Sequence, residues 1–71
     1  MDRYEIDIFW SDEDRCFVAI VPDLEGCAAH GATPELALAE VEVARDLWLD
    51  AARGAGREIP EPSPRRSAAV G

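Results

Sequence analysis

Seventy-one residues allow one domain and one small core, near the lower limit for folding without a disulfide or metal staple. Fifteen Asp and Glu against seven Lys and Arg give a formal net charge of −8, which argues against nucleic acid as a direct ligand and favours basic partners. No apolar run reaches the roughly 20 residues needed to span a bilayer, and the opening MDRYEID lacks the basic-then-apolar pattern of a signal peptide, so a cytoplasmic protein is expected.

Residues 3–10 alternate, with Tyr4, Ile6 and Ile8 on one face and Glu5, Asp7 and Phe9 on the other. Period two marks a strand with one buried face. Residues 11–15 are polar and of hairpin length, with no Gly for a tight primed turn. Residues 16–21 form a second strand that is largely apolar on both faces. Pro22 then ends it, having no N–H for a ladder, and Asp23 and Gly26 turn the chain.

CAAHG, residues 27–31, is a third strand of small residues. If Val21 opposes Cys27, Ala19 opposes Ala29 and Phe17 opposes Gly31 on one face, while Ile20 meets Ala28 and Val18 meets His30 on the other. Cys27, Ala29 and Gly31 leave room for a helix on the first face. The expected core is therefore Tyr4, Ile6, Ile8, Phe17, Ala19, Val21, Cys27 and Ala29. The opposite face carries Phe9, Val18, Ile20 and His30 beside Glu5 and Asp7, more apolar than a solvated face requires.

Thr33 is a good N-cap, Pro34 suits the first helical position, and Glu35 meets the positive end of the helix dipole. A helix is predicted over residues 33–53, ended by Gly54 and Gly56. Leu38, Val41, Trp48 and Ala52, flanked by Ala37, Ala44 and Leu49, make its buried stripe. Leu36, Val43 and Leu47 form a second, weaker stripe. Beyond it, prolines at 60, 62 and 64 favour extended chain. The expected division is a domain over residues 1–59 and a Pro-rich tail over residues 60–71. The fold class is α+β: a three-stranded antiparallel sheet with one helix on one face.

Cys16 and Cys27 fall at opposite ends of that hairpin, roughly 15 Å or more apart at about 3.3 Å per residue, so two free thiols are expected. No catalytic, cofactor-binding or metal-binding set stands out. Asp7 is the one carboxylate at a strand centre, and it faces away from Glu40 and Glu42. Asp12, Glu13 and Asp14 lack the spacing of a calcium loop, and His30 has no nucleophile beside it.

FWSDED, FVAIVPDLEGC, GATPELAL and GREIPEP, in this order, resemble the HicB family of type II antitoxins. The resemblance implies a partial RNase H-like fold without nuclease activity. It also implies a partner: a small, basic, double-stranded-RNA-binding-like toxin, HicA, that cleaves mRNA with a histidine and whose active site the antitoxin covers. Longer relatives carry a C-terminal DNA-binding domain. Nothing after Pro62 can form one, so a short form that does not bind DNA alone is expected. Leu36 stands where the family often has Glu, and Arg45 where it usually has an aliphatic residue.

A stoichiometric antitoxin is the leading reading, ahead of an orphan oligomeric accessory domain and a minimal RNase H-like nuclease. Toxin contacts are expected at Glu5, Asp7, Asp12, Glu13 and Asp14, where carboxylates can stand in for RNA phosphates. A homodimer or higher oligomer is expected through the sheet, with Phe9, Val18 and Ile20 near the contact.

Overall fold

Pro22 has no N–H to give a ladder, and in the computed structural model the second strand ends just before it. The structure describes residues 4–62. Three strands, β1 (Asp7–Ser11), β2 (Cys16–Ile20) and β3 (Ala28–Gly31), precede one helix, α1 (Pro34–Gly54). The strands form an antiparallel sheet in the order β1-β2-β3, which confirms the predicted α+β arrangement.

The predicted register holds throughout the second hairpin. Phe17 lies opposite Gly31, Val18 opposite His30, Ala19 opposite Ala29 and Ile20 opposite Ala28. Val21 donates its N–H to the Cys27 carbonyl at 3.0 Å and closes the pairing. Between them the chain makes two consecutive turns. Leu24 N–H bonds the Val21 carbonyl, and Cys27 N–H bonds the Leu24 carbonyl, each at 3.0 Å. Pro22 sets φ in the first turn, and Gly26, at φ +81°, supplies the positive φ in the second. Leu24 is the shared corner of the two turns, and its side chain is fully buried.

In the first hairpin Asp7 faces Ile20 and Ser11 faces Cys16. β1 begins at Asp7, later than the alternation over residues 3–10 predicts, because the next hydrogen-bonded position on β2, opposite Glu5, falls to Pro22, which has no N–H to give. The loop over residues 12–15 has no glycine, so Arg15 takes the left-handed conformation itself at φ 57°. Its N–H bonds the Ser11 carbonyl at 2.8 Å. Side chains secure the rest: Asp14 N–H donates to Ser11 Oγ, Ser11 Oγ–H donates to Asp14 Oδ2, and Trp10 Nε1–H donates to Asp12 Oδ1.

The helix starts where the capping residues predict. Thr33 Oγ1 accepts from Leu36 N–H at 3.1 Å, and Pro34 fills the first turn. At the other end Gly56, at φ +72°, lets Arg57 N–H reach back to the Ala52 carbonyl at 2.8 Å and its own N–H to Arg53 at 3.1 Å. These two bonds are a Schellman closure. Trp48 Nε1 donates to the Glu25 carbonyl at 2.9 Å, and the Arg57 guanidinium lies over the same indole at 5.5 Å.

α1 packs chiefly over β3 and β2 and barely reaches β1. Gly31 permits the close approach, since a Cβ there would sit 2.3 Å from the Ala37 nitrogen. Ala19, Val21, Leu24, Cys27, Ala37, Val41 and Leu49 form the buried cluster, with Tyr4, Ile6, Phe17, Ala29, Trp48 and Ile59 packed around it. Two expected core residues are exposed instead: Ile8 on the uncovered strand and Leu38 near the helix start. Leu24, absent from the predicted core, is among its largest members.

Beyond the helix, Ile59 packs on the core and the Pro60 carbonyl accepts from the Tyr4 hydroxyl. The segment over residues 63–71, read as the body of the tail, lies outside the described residues.

Candidate functional site

Strand alternation and register sort the sheet into two faces. Ile8, Trp10, Phe17, Ala19, Ala29 and Gly31 share the face that α1 covers in part. Asp7, Phe9, Ser11, Cys16, Val18, Ile20, Ala28 and His30 share the outer face. Cys16 and Cys27, both free, belong to opposite faces. Burial pushes the Cys27 thiol above its ordinary pKa, with Arg45 pulling weakly the other way.

The expected acidic residues do not form one cluster within the chain. Asp7 is exposed at one end of β1, with Glu5 half-buried just before it, while Asp12, Glu13 and Asp14 are exposed beyond the other end. Four steps along the strand lead from Asp7 to Ser11, roughly 13 Å at about 3.3 Å per residue. Phe9, half exposed, stands between the two acidic ends on the outer face. Asp14 leans across that face towards His30, with Oδ2 4.0 Å from the Nε2 of the imidazole.

The residues expected at an oligomer contact differ in exposure. Phe9 is 48% exposed and Ile20 is half-buried, whereas Val18, between Phe9 and His30, is only 9% exposed. Most of the Val18 side chain is covered before any second molecule arrives. Trp10 is not marked in the sequence, because it continues an unbroken IFW run rather than the alternation. It lies on the helix side of β1, edge-on to Phe17 with ring centroids 5.1 Å apart, and is 49% exposed.

On α1, Leu36, Val43 and Leu47 are exposed on the face opposite the core, among the exposed carboxylates of Glu40, Asp46 and Asp50. Glu40 and Glu42 are on the helix, which packs on one face of the sheet, and Asp7 is on the other face. The sheet therefore separates the carboxylates that a two-metal hydrolase would have to converge on a pair of ions about 3.5–4 Å apart. Among the described residues no group of three or more His, Cys, Asp and Glu is placed to hold a metal ion. None of the described helices is long and apolar enough to cross a membrane.

The fold and its accessible chemistry define a small β-β-β-α domain that presents acidic and apolar surface around an open strand edge. The chain belongs to the HicB-like antitoxin family of bacterial toxin–antitoxin systems, whose profile matches residues 4–69. It is also similar to the UPF0150 protein ssl0259 of a Synechocystis species, at 43% identity over 44 residues. That match takes in 62% of this chain and spans 60% of the relative's length. No solved structure matches the chain at a significant level.

Proposed function

We propose that this chain neutralises a small, basic, mRNA-cleaving toxin of the HicA type by binding over its active site in the cytoplasm. A protein that approaches RNA phosphates must be basic around its catalytic groups. An occluding partner can offer carboxylates in place of those phosphates. The observation that carries this reading is the exposure of Asp7, Asp12, Glu13 and Asp14 at the two ends of β1, with exposed aromatic surface between them. The β-β-β-α order is compatible with a partial RNase H-like fold in which the hydrolytic carboxylates are not assembled. Residues 1–59 act as the HicB-like module and residues 60–71 as a Pro-rich tail, and binding involves no metal or cofactor.

Rim carboxylates chiefly raise association rates, while buried contacts govern dissociation. The test is stopped-flow association with a HicA-type toxin, to be sought as a small basic reading frame next to the one for this chain, at two ionic strengths. The variant is Asp12→Asn, Glu13→Gln and Asp14→Asn together, whose amides keep the hydrogen bonds to Trp10 and Ser11. Association should slow and its salt dependence should flatten. An unchanged rate with an unchanged salt slope would remove the loop from the toxin contact.

A further inference from the structure

We propose that two copies of this chain pair edge to edge through β1, antiparallel about a two-fold axis at Phe9, to form one continuous six-stranded sheet. β1 is an edge strand, and three of its consecutive large apolar side chains are exposed: Ile8 at 37%, Phe9 at 48% and Trp10 at 49%. They point to both faces of the sheet. A molecule resting on one face would cover either Phe9 alone or only Ile8 and Trp10, whereas a strand added to the edge flanks them all.

The hydrogen-bond phase of the edge fits that occupant. Val21 and Cys27 are a bonded pair. By antiparallel alternation Val21, Ala19 and Phe17 therefore turn their polar groups to β3, and Cys16, Val18 and Ile20 turn theirs to β1. Their partners Asp7, Phe9 and Ser11 are thereby satisfied within the chain. Ile8 and Trp10 present their N–H and C=O groups to the edge that no other described strand pairs.

A two-fold axis at Phe9 sets Ile8 of one copy opposite Trp10 of the second, so the outward groups exchange the hydrogen bonds of an antiparallel ladder. Phe9 meets its own symmetry mate as a non-bonded pair, the kind with Cα atoms only about 4.5 Å apart. Aromatic faces aromatic on the outer side, and isoleucine faces tryptophan on the other. β3 is the poorer edge, being four residues of Ala, Ala, His and Gly.

Charge is compatible with this register. Asp7 lies opposite Ser11 of the second copy rather than opposite its own mate. The two Asp7 residues stay roughly 13 Å apart along the strands, beyond the Debye length of about 8 Å at physiological salt. The pairing also places Glu5 and Asp7 of one copy beside the loop that carries Asp12 and Glu13 of the other. The acidic groups that a single chain keeps at opposite ends of β1 then form two composite patches. The use of those patches by a toxin rests on the antitoxin reading; the pairing itself does not.

The test uses the full chain without any toxin. Sedimentation velocity should find a dimer whose association strengthens as salt rises, since screening relieves the clustered carboxylates, the reverse of the dependence expected for a basic partner. Ile8→Pro removes an outward N–H and none that β2 uses, so it should give a monomer with an unchanged circular dichroism spectrum. Phe9→Asp and Phe9→Lys each set like charges on the axis and should each be monomeric, while an equimolar mixture should recover the dimer. Only a residue on the two-fold axis predicts that complementation. A wild-type monomer at all accessible concentrations, a dimer that survives in folded Ile8→Pro, or a mixture that stays monomeric would each overturn the proposal. Should Ile8→Pro lose its fold, the Phe9 mixture decides alone.

Discussion

Gly31→Ala tests whether the helix start rests directly on the third strand. The new Cβ would lie 2.3 Å from the Ala37 nitrogen, 2.7 Å from the Leu36 carbonyl carbon and 2.8 Å from the Ala37 Cα. The nearest of these is about 1.1 Å short of the 3.4 Å at which ordinary contact begins. All three atoms are peptide backbone within the capped first turn, so no flexible side chain can swing away. Overpacking of this kind costs about 1–3 kcal/mol. Replacing Gly returns about 0.4–1 kcal/mol by restricting the unfolded chain. A net loss of about 1–2 kcal/mol follows, from a total of roughly 4–11 kcal/mol for a chain of this size. The midpoint of thermal unfolding should fall by about 4–16 °C. Melts followed at 222 nm measure it, at one fixed protein concentration so that self-association does not shift the midpoint. Gly54→Ala is the control, because nothing lies within 4 Å of its added Cβ, and it should raise the midpoint slightly. A Gly31→Ala midpoint equal to or above wild type would refute this account of helix docking.

Leu24→Ala should cost about 2–5 kcal/mol in urea titrations despite its place in a turn, because the side chain is fully buried; a loss below about 1 kcal/mol would count against that burial. Thr33→Ala removes the oxygen that accepts from Leu36 N–H and should cost about 0.5–2 kcal/mol, with Thr33→Ser restoring most of it. The Cys27 thiol is raised by burial, so the folded chain holds that proton more tightly than the unfolded one. Its contribution to stability is fully present below the unfolded pKa and is lost as pH rises through the folded pKa. The stability of wild type relative to Cys27→Ala should therefore be flat near neutrality and decline above about pH 8.5, and denaturant midpoints that keep a constant gap into the alkaline range would contradict it.

The parts of this fold legible in the sequence are those set by local chemistry. Thr33, Pro34 and Glu35 mark the helix start because cap, ring and charge each act within one turn. The β2–β3 register follows once Val21 is set opposite Cys27 across the turn that Pro22 and Gly26 mark, and alternation then puts Cys27, Ala29 and Gly31 on the face that receives the helix. Leu24 was hidden because two turns, each unremarkable in the sequence, share it as a corner. Ile8 and Leu38 fit the core pattern yet are exposed, because periodicity reports which face a side chain takes but not how far sideways a helix sits on its sheet. α1 sits over β2 and β3, and that offset exposes β1. The acidic residues were equally legible as types, but their separation along β1 depended on where β2 stopped.

The hydrogen bond from Tyr4 to the Pro60 carbonyl, with Ile59 on the core beside it, joins the first described residue to the chain beyond the helix. Topologically the unit is nearly a ring. A circular permutant that links Pro62 to Tyr4 through a few glycines and opens the chain within residues 12–15 would keep the sheet order and leave the helix uninterrupted. It would cut the hairpin that aligns β1 with β2, so its refolding rate would report how much of the ordering of β1 comes from that short connection and how much from the cores it joins.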